Sequence, residues 1–503
     1  MPDVSRKAAE KPEKRTLQQW ALACRGKYSG TAVECENRTL SYDAFDAMTE
    51  KVAQVLSQKG IGPGMTVVLR MPRTERMMAA LFAVVRVGAS VLPVPVDFPE
   101  MRCRDIYRMS RAALTLTEEG MEAILSEKDG ITAFRHDYPL AGPEDPALIL
   151  FTSGSTGQPK GVVHTQMSAA RGVMNLPGEM PGMGLPCREF GTVLGKTSEN
   201  FISSYALEYF SALLFGRTLV MLTEQERIDY RAIGSRMETH PGSSLFSTAT
   251  EIENYLREES FRRQFRNLGV LVLSGERITD EVRERILTAT DRETTLLSIY
   301  GMTECFEITF SNLRDREWQN GTLCPGVEAE ILKENRCVSA GESGEIVLRS
   351  PMQMARYLGA RERFYSLGGV RWLGTGDIGE KTAEGKLAVR GRGDRLVKFH
   401  GLRIELDDVQ TNVLRFPGIQ NAAVVLSDTA AGTQIICAYY ESSAELNIAD
   451  IRAFLVDYLP DYMIPARFIR LKQLPRNRNG KIDYSELMNR PYQGKTAGGH
   501  KRS

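Results

Sequence analysis

Glycines, hydroxyls and one lysine are gathered in Thr152-Ser153-Gly154-Ser155-Thr156-Gly157-Gln158-Pro159-Lys160-Gly161, a composition suited to holding phosphate. Glycines let backbone N–H groups approach phosphate oxygens, hydroxyls add donors, and Lys160 adds a point charge. The run is entered from the apolar Leu148-Ile149-Leu150-Phe151 and left through Val162-Val163-His164, so it reads as the tip of a hairpin. It is not a Walker A loop, because the G-x-x-x-x-G-K-[ST] spacing fails and no helix follows. Taken alone, the same residues also fit a flexible Ser/Gly surface loop.

The elements that must position this loop alternate. Strand-like runs such as Thr66-Val67-Val68-Leu69 and Val270-Leu271-Val272-Leu273 are interleaved with helix-length patterns such as Arg73 to Val87, with Gly and Pro between them. This rhythm predicts α/β layers. Ala212-Leu213-Leu214-Phe215 and Thr218-Leu219-Val220-Met221-Leu222, parted by Gly216-Arg217, read as helix, turn and buried strand. After Gly391-Arg392-Gly393-Asp394, shorter strands and helices (Ala422 to Leu426, Gln434 to Tyr440, Ile448 to Leu459) have the length of a small α+β unit. We therefore expect a large N-terminal α/β domain of several subdomains over 1–393, a small mobile C-terminal α+β domain over 394–490, and a disordered tail over 491–503.

Bulk composition excludes several classes. At 503 residues, 42% of them hydrophobic and 25% charged, the chain can bury more than one core. Lys plus Arg total 64 against 63 Asp plus Glu, so no global field holds a nucleic-acid backbone or an anionic membrane surface. Eight scattered cysteines with no C-x-x-C pair argue against structural zinc or a disulfide framework and fit a reducing cytoplasm. The charged N-terminus lacks a signal-peptide core, and no apolar run spans a bilayer, so neither export nor membrane insertion is expected.

The phosphate-loop candidate resembles that of the acyl-adenylate-forming superfamily, which comprises acyl- and aryl-CoA synthetases, adenylation domains of nonribosomal peptide synthetases and luciferases. Further matches follow in the family's order. They are Leu40-Ser41-Tyr42, Val87-Gly88-Ala89 with Val91-Leu92-Pro93-Val94, Tyr300-Gly301-Met302-Thr303-Glu304, Gly344-Glu345-Ile346, Gly374-Thr375-Gly376-Asp377, Gly391-Arg392-Gly393-Asp394 with Lys398 and Gly401, and Asn479-Gly480-Lys481. The resemblance implies a ligase that uses ATP and Mg²⁺. Tyr300 would offer a face to adenine, beside Gly301 and the Gly275-Glu276 loop. Thr303 would give a hydroxyl to the α-phosphate, and Glu304 an oxygen ligand to the metal. Asp377, read as lying in a glycine-flanked turn, would accept from both ribose hydroxyls, and Arg392 would reach ribose or phosphate. Lys481 would be catalytic, offsetting the repulsion between a carboxylate and an α-phosphate. Asp394 matches the hinge about which the family's small domain rotates, and Gly401 the segment lining a tunnel for a pantetheine thiol.

The resemblance also implies an acyl pocket made by Ser203, Ser204, Leu207, Phe246, Val272, Ser274, Ile299, Glu307 and Ile308. Ser203 stands where amino-acid-activating members place an Asp against the substrate's α-ammonium, which disfavours an ordinary α-amino acid. Glu307 is the odd member: it could pair with an amine or hydroxyl away from the substrate's carboxylate, or it could face solvent. Met302 resembles the CoA ligases, whereas Lys398 to Glu405 resembles the carrier-loading branch. With no carrier domain read after residue 490, we expect a stand-alone enzyme transferring its acyl group to the phosphopantetheine thiol of a separate carrier protein. The alternative is free CoA as acceptor. A catalytically idle relative is the remaining reading, against which the intact Lys160, Glu304, Asp377, Arg392 and Lys481 argue.

Overall fold

Apolar runs bounded by Gly and Pro become buried strands in the computed structural model. It describes residues 15–36, 38–127, 137–152, 159–174, 191–276, 278–360, 363–392, 396–399, 402–429, 433–476 and 482–490, without the side chains of residues 392, 396, 398, 403 and 485. Two of its sheets are largely parallel. One has six strands in the order Arg356–Leu358, Lys160–Thr165, Pro146–Thr152, Ser90–Pro93, Thr66–Arg70 and Leu114–Thr117. The other has nine, with Val270–Ser274 and Thr295–Met302 near one end and Thr31–Cys35 near the other. Their central strands are buried along almost their whole length, as expected when helices cover both faces of a parallel sheet. One apolar core joins residues of both sheets, and Phe82 packs edge-on against Phe45 and Phe210 within it. A third sheet, antiparallel throughout, spans Glu328–Lys333 to Leu387–Arg392.

The small C-terminal part begins with the hairpin Leu396–Phe399 and Leu402–Glu405, followed by the three-stranded sheet Asn421–Asp428, Gln434–Glu441 and Arg467–Leu471. Helices Leu406–Leu414 and Ile448–Val456 pack on it around their own core, which includes Ile404, Val409, Val424, Ile436, Ile451 and Leu455. Ion pairs tie it to the large part, among them Lys160 Nζ to Glu405 Oε1 at 3.2 Å and Arg102 to the buried Asp408 at 3.7 Å. Burial, only partly offset by Arg102, pushes Asp408 up to about 6. Among the described residues no helix is long and apolar enough to cross a membrane. The sequence pattern anticipated these elements closely. The expected helix at Arg73 to Val87 spans Glu75–Arg86, which leaves Arg73 in the preceding turn.

Arg73 uses that position. Its guanidinium is buried and donates to the carbonyls of Gly195 at 2.9 Å, Thr197 at 2.5 Å and Leu222 at 3.3 Å, and to the Tyr209 hydroxyl at 2.8 Å. It also pairs with the buried Glu199 at 3.4 Å. The expected helix at Ala212–Phe215 in fact starts earlier, as a π-helical turn, Ser204–Tyr209, continued by Phe210–Leu213. Such turns are unusual and concentrate at functional sites. Here Arg73 holds the turn at Tyr209, and Glu208 accepts from Thr197 N and Oγ1 at 3.0 and 2.5 Å. The segment from Gly195 to Tyr209 is thus fixed by buried polar contacts. Arg73→Ala would strand the Glu199 carboxylate and several carbonyls, so it should lower stability by about 3–5 kcal/mol. Denaturant unfolding of the purified protein measures this; an unchanged midpoint would show that the network is not needed.

Candidate functional site

Strands Pro146–Thr152 and Lys160–Thr165 pair antiparallel with Thr152 opposite Lys160, so both ends of the phosphate-loop candidate are in view. Ser153, Gly154, Ser155, Thr156 and Gly157 lie outside the described residues. The Thr152 hydroxyl is buried with no partner among the described residues. Lys160 Nζ lies 3.8 Å from Glu304 Oε1 and 5.1 Å from the centre of the Tyr357 ring, in addition to its contact with Glu405. Tyr357 donates to Glu304 Oε1 at 2.7 Å. Its strand, Arg356–Leu358, pairs along Gly161–Val163, which brings the phenol to the lysine. Glu304 is fully buried. The fold therefore joins Lys160 and Glu304, far apart in sequence, into one charged cluster. Thr303 is anchored beside it, because the buried His164 donates from Nε2 to the Thr303 carbonyl at 2.7 Å. Burial pushes His164 down to about 4, so the ring is neutral at pH 7 and this carbonyl selects the Nε2–H tautomer.

Asp377 does not lie in a turn, contrary to the sequence reading. It stands inside the long strand Val370–Lys381, opposite Arg392. The glycines around it serve a bulge: Val347 pairs with Gly374 but Glu345 with Ile378, so residues 375–377 stand against Ile346 alone and their strand carries two extra residues. Gly376 takes φ +75° there, which a side chain would resist. Thr375 Oγ1 donates to Ile346 O at 2.8 Å and accepts from Asp377 N at 2.9 Å, while Glu345 Oε1 accepts from Gly376 N at 3.1 Å. The Gly344-Glu345-Ile346 and Gly374-Thr375-Gly376-Asp377 runs are thereby one device that presents the Asp377 carboxylate. Tyr300 donates its hydroxyl to that carboxylate at 2.5 Å.

Two cavities meet at Asp377, Gly275 and Ile299. One, of about 210 Å³, is walled by Tyr300, Glu276, Trp318, Val389 and Arg390 among others, so Gly275, Glu276, Tyr300 and Asp377 converge there. The Glu276 carboxylate also accepts from Thr250 N at 3.0 Å. The other, of about 160 Å³, is walled by Ser203, Leu207, Phe246, Ser274, Ile299, Gly301, Thr303 and Glu307, with Phe201, Met302 and Phe306 adding apolar surface. Three expected pocket residues are not in this wall. Ser204 is buried and donates to Phe201 O at 2.8 Å, Ile308 points into the main core as its strand alternates, and Val272 packs in the cluster around Leu207 and Phe246.

Glu307 does not face solvent: it is 3% exposed. Its strand starts at Phe306, held at φ +55°, and Gly301 opposite has room only for hydrogen, since a Cβ would come within 2.7 Å of Phe306 O. Burial, only partly offset by its own backbone N–H, pushes Glu307 up to about 7. Oε2 has no partner among the described residues. The neighbouring thiols of Cys305 and Cys324 are pushed up by burial and stay neutral.

Lys481, Asp394 and Gly401 lie outside the described residues, as does the side chain of Arg392, whose backbone is in register with Asp377. Tyr357, Glu405, Arg390 and Lys196 are site neighbours that sequence reasoning assigned no role. Tyr357 and Glu405 reach the cluster through strand pairing and domain packing, which no local spacing reports. Lys196, in the wall of the smaller cavity, is paired with Glu251 at 2.7 Å.

The AMP-binding enzyme family matches residues 17–358, and the AMP-binding enzyme C-terminal domain matches residues 408–481. Bacitracin synthase 3 of Bacillus licheniformis is 28% identical over 96% of this chain, and a dimodular nonribosomal peptide synthase of Bacillus subtilis (strain 168) is 27% identical over 91%. The chain spans only 8% and 20% of those two proteins. Among solved structures, an o-succinylbenzoate CoA synthetase of Bacillus subtilis has TM-score 0.81 at 20% identity, covering 94% of this chain and 98% of that one. An amide bond synthetase of Marinactinospora thermotolerans has TM-score 0.80 at 20% identity, covering 94% and 99%. At such identity these structures show a shared fold.

The raised Glu307 carboxyl has a measurable consequence. Folding strengthens its hold on a proton, so stability falls as pH rises from about 4.5, where the unfolded group titrates, to about 7, where the folded one does. Glu307→Gln removes this penalty. Above pH 7 the variant should be more stable than the unsubstituted protein by on the order of 3 kcal/mol, with the gap closing toward pH 4.5. Thermal unfolding across that range tests it, and a pH-independent gap would contradict the assigned burial.

Proposed function

The chain belongs to the AMP-binding enzyme family of adenylate-forming ligases, and from that premise we propose that it activates a carboxylic acid as acyl-AMP, releasing pyrophosphate, and then loads the acyl group onto the phosphopantetheine thiol of a separate carrier protein. The observation that carries the first half is the meeting of two cavities at the Asp377 carboxylate. Adenosine occupies the cavity of Tyr300 and Glu276, with its ribose hydroxyls donating to Asp377, and the acyl chain occupies the other. Thr303, in the acyl cavity wall, faces the bond being made, and its hydroxyl steadies the α-phosphate.

Lys160 and the loop from Thr152 to Gly157 bind the β- and γ-phosphates. Glu304 is a buried oxygen donor beside Lys160, a fitting partner for Mg²⁺, which takes one or two protein carboxylates and completes its shell with phosphate and water. When bound, the metal offsets phosphate charge. Lys481 approaches from the small domain and stabilises charge as carboxylate and α-phosphate combine. Arg392 supports the ribose. We further assign 1–393 and 394–490 as the two moving bodies, with Asp394 as hinge and the Gly401 segment at the thiol entrance. The likeness to a dimodular nonribosomal peptide synthase over 91% of this chain is what favours a carrier protein over free CoA in this reading.

Acid-dependent pyrophosphate release with a broad acid panel tests adenylation, and no turnover with any acid would overturn it. Offering CoA and holo-carrier proteins separately tests the acceptor; transfer to CoA alone would replace the carrier assignment. Lys481→Ala should lower adenylation by about 10² or more while sparing thiol transfer from supplied acyl-AMP. Equal losses in both half-reactions would contradict its role.

A further inference from the structure

The acyl cavity holds more charge than an apolar acid would need. Four ionisable groups besides Glu307 stand in its wall, and each is engaged. Lys196 pairs with Glu251 at 2.7 Å, Arg227 pairs with Glu224 at 2.5 Å, and Asp377 accepts from Tyr300. Glu307 differs. Among the described residues no cation pairs with it, and its Oε2 lacks any hydrogen-bond partner although the residue is 3% exposed. It shares the cavity wall with Leu207, Phe246, Ile299, Met302 and Phe306, none of which can satisfy a carboxyl group.

A carboxyl buried among apolar side chains is costly, and it needs a partner for its free oxygen. The fold supplies none among the described residues. Among the described residues Glu307 also braces no neighbouring element in the way Glu208 holds Thr197 or Glu345 holds the Asp377 bulge. The remaining source of a partner is whatever fills the cavity.

We propose that Glu307 is a specificity-determining residue of the acyl cavity, and that the acid activated here carries a protonated aliphatic amine, remote from its reacting carboxylate, which ion-pairs with Glu307. The inference rests on the reading of this cavity as the acyl site. At one end of the substrate the carboxylate meets Thr303 and the nucleotide; at the other, the ammonium replaces lost water with a charge-assisted hydrogen bond. The ionised form of Glu307 is then favoured by its ligand. A neutral chain of equal length would leave the carboxyl unsatisfied, and this asymmetry is a strong source of discrimination.

Acid-dependent ATP–pyrophosphate exchange distinguishes the possibilities, using β-alanine, 4-aminobutyrate, 5-aminovalerate and 3-(aminomethyl)benzoate, each beside its deaminated and hydroxyl-bearing counterparts and beside α-amino acids of equal size. In the unsubstituted protein at least one ω-amino acid should exceed its deaminated counterpart by about 10² or more in kcat/KM. Glu307→Gln should lose about 10²-fold on that amino acid while keeping or gaining activity on the deaminated one. Retained exchange with the deaminated acid shows that the variant is folded and still adenylates. Preference for deaminated, hydroxyl-bearing or α-amino acids would overturn the assignment but leave adenylation standing, as would equal losses on both members of a pair. Exchange with none of these acids, alongside pyrophosphate release with some other acid lacking an amine, would likewise overturn it. No response to any acid would sink the adenylation reading and this inference together.

Discussion

The Asp377 carboxylate is the constraint on which the rest of the site depends. It must stand where two cavities touch, and a regular strand would not put it there with its backbone still paired. The bulge at 375–377 solves this locally. Thr375 replaces a ladder partner for Ile346 O and for Asp377 N, Glu345 satisfies Gly376 N, and Tyr300 from the neighbouring sheet fixes the carboxylate itself. Each contact occupies a backbone or side-chain group that would otherwise be buried without a partner, and an unmade hydrogen bond there costs about 1–3 kcal/mol. The position of the carboxylate is therefore set by a chain of hydrogen bonds across two sheets.

The cavity walls are held in a similar manner. Arg73 fixes the segment from Gly195 to Tyr209 by donating to carbonyls at and just past the C-terminal ends of two neighbouring strands, Thr192–Gly195 and Thr218–Met221, and to Tyr209 in the π-helical turn. On the opposite side, Phe306 at positive φ fits against Gly301, and its ring packs 4.6 Å from His164. Glu304 lies in the tight turn that leads directly into Phe306, so the charged cluster and the apolar wall are joined through one short stretch of backbone. The small C-terminal part adds Glu405 to Lys160 and Leu402 to the cavity wall. Any anion arriving at Lys160 would compete with Glu405 for the same ammonium group, which links occupancy of that spot to how the small part sits.

Much of this was legible in the sequence because it is carried by local patterns. Buried strands such as Thr66–Arg70 and Val270–Ser274 are written as continuous apolar runs, and the C-terminal strands and helices fall within a few residues of their expected spans. Tyr300 and Glu276 stand out as motif residues and line a cavity wall, while Glu304 lies buried beside Lys160. What was not legible depends on register and on packing at long range. Glycines flanking Asp377 read as a turn, but they belong to a bulge defined by the partner strand. Ile308 was grouped with Glu307 although adjacent residues of a strand face opposite ways. Tyr357 and Glu405 meet Lys160 only after strands and domains have assembled, and the unusual helical turn at Ser204–Tyr209 has no sequence signature of its own.

A crystal structure with a non-hydrolysable acyl-sulfamoyl adenosine carrying an ω-amino acyl chain tests the central claim most directly. Adenosine should lie beside Tyr300 and Glu276, both ribose hydroxyls should reach Asp377, and the acyl chain should enter the cavity of Phe246 and Glu307. A ligand bound away from Asp377, or one whose acyl chain leaves that cavity empty, would contradict the account.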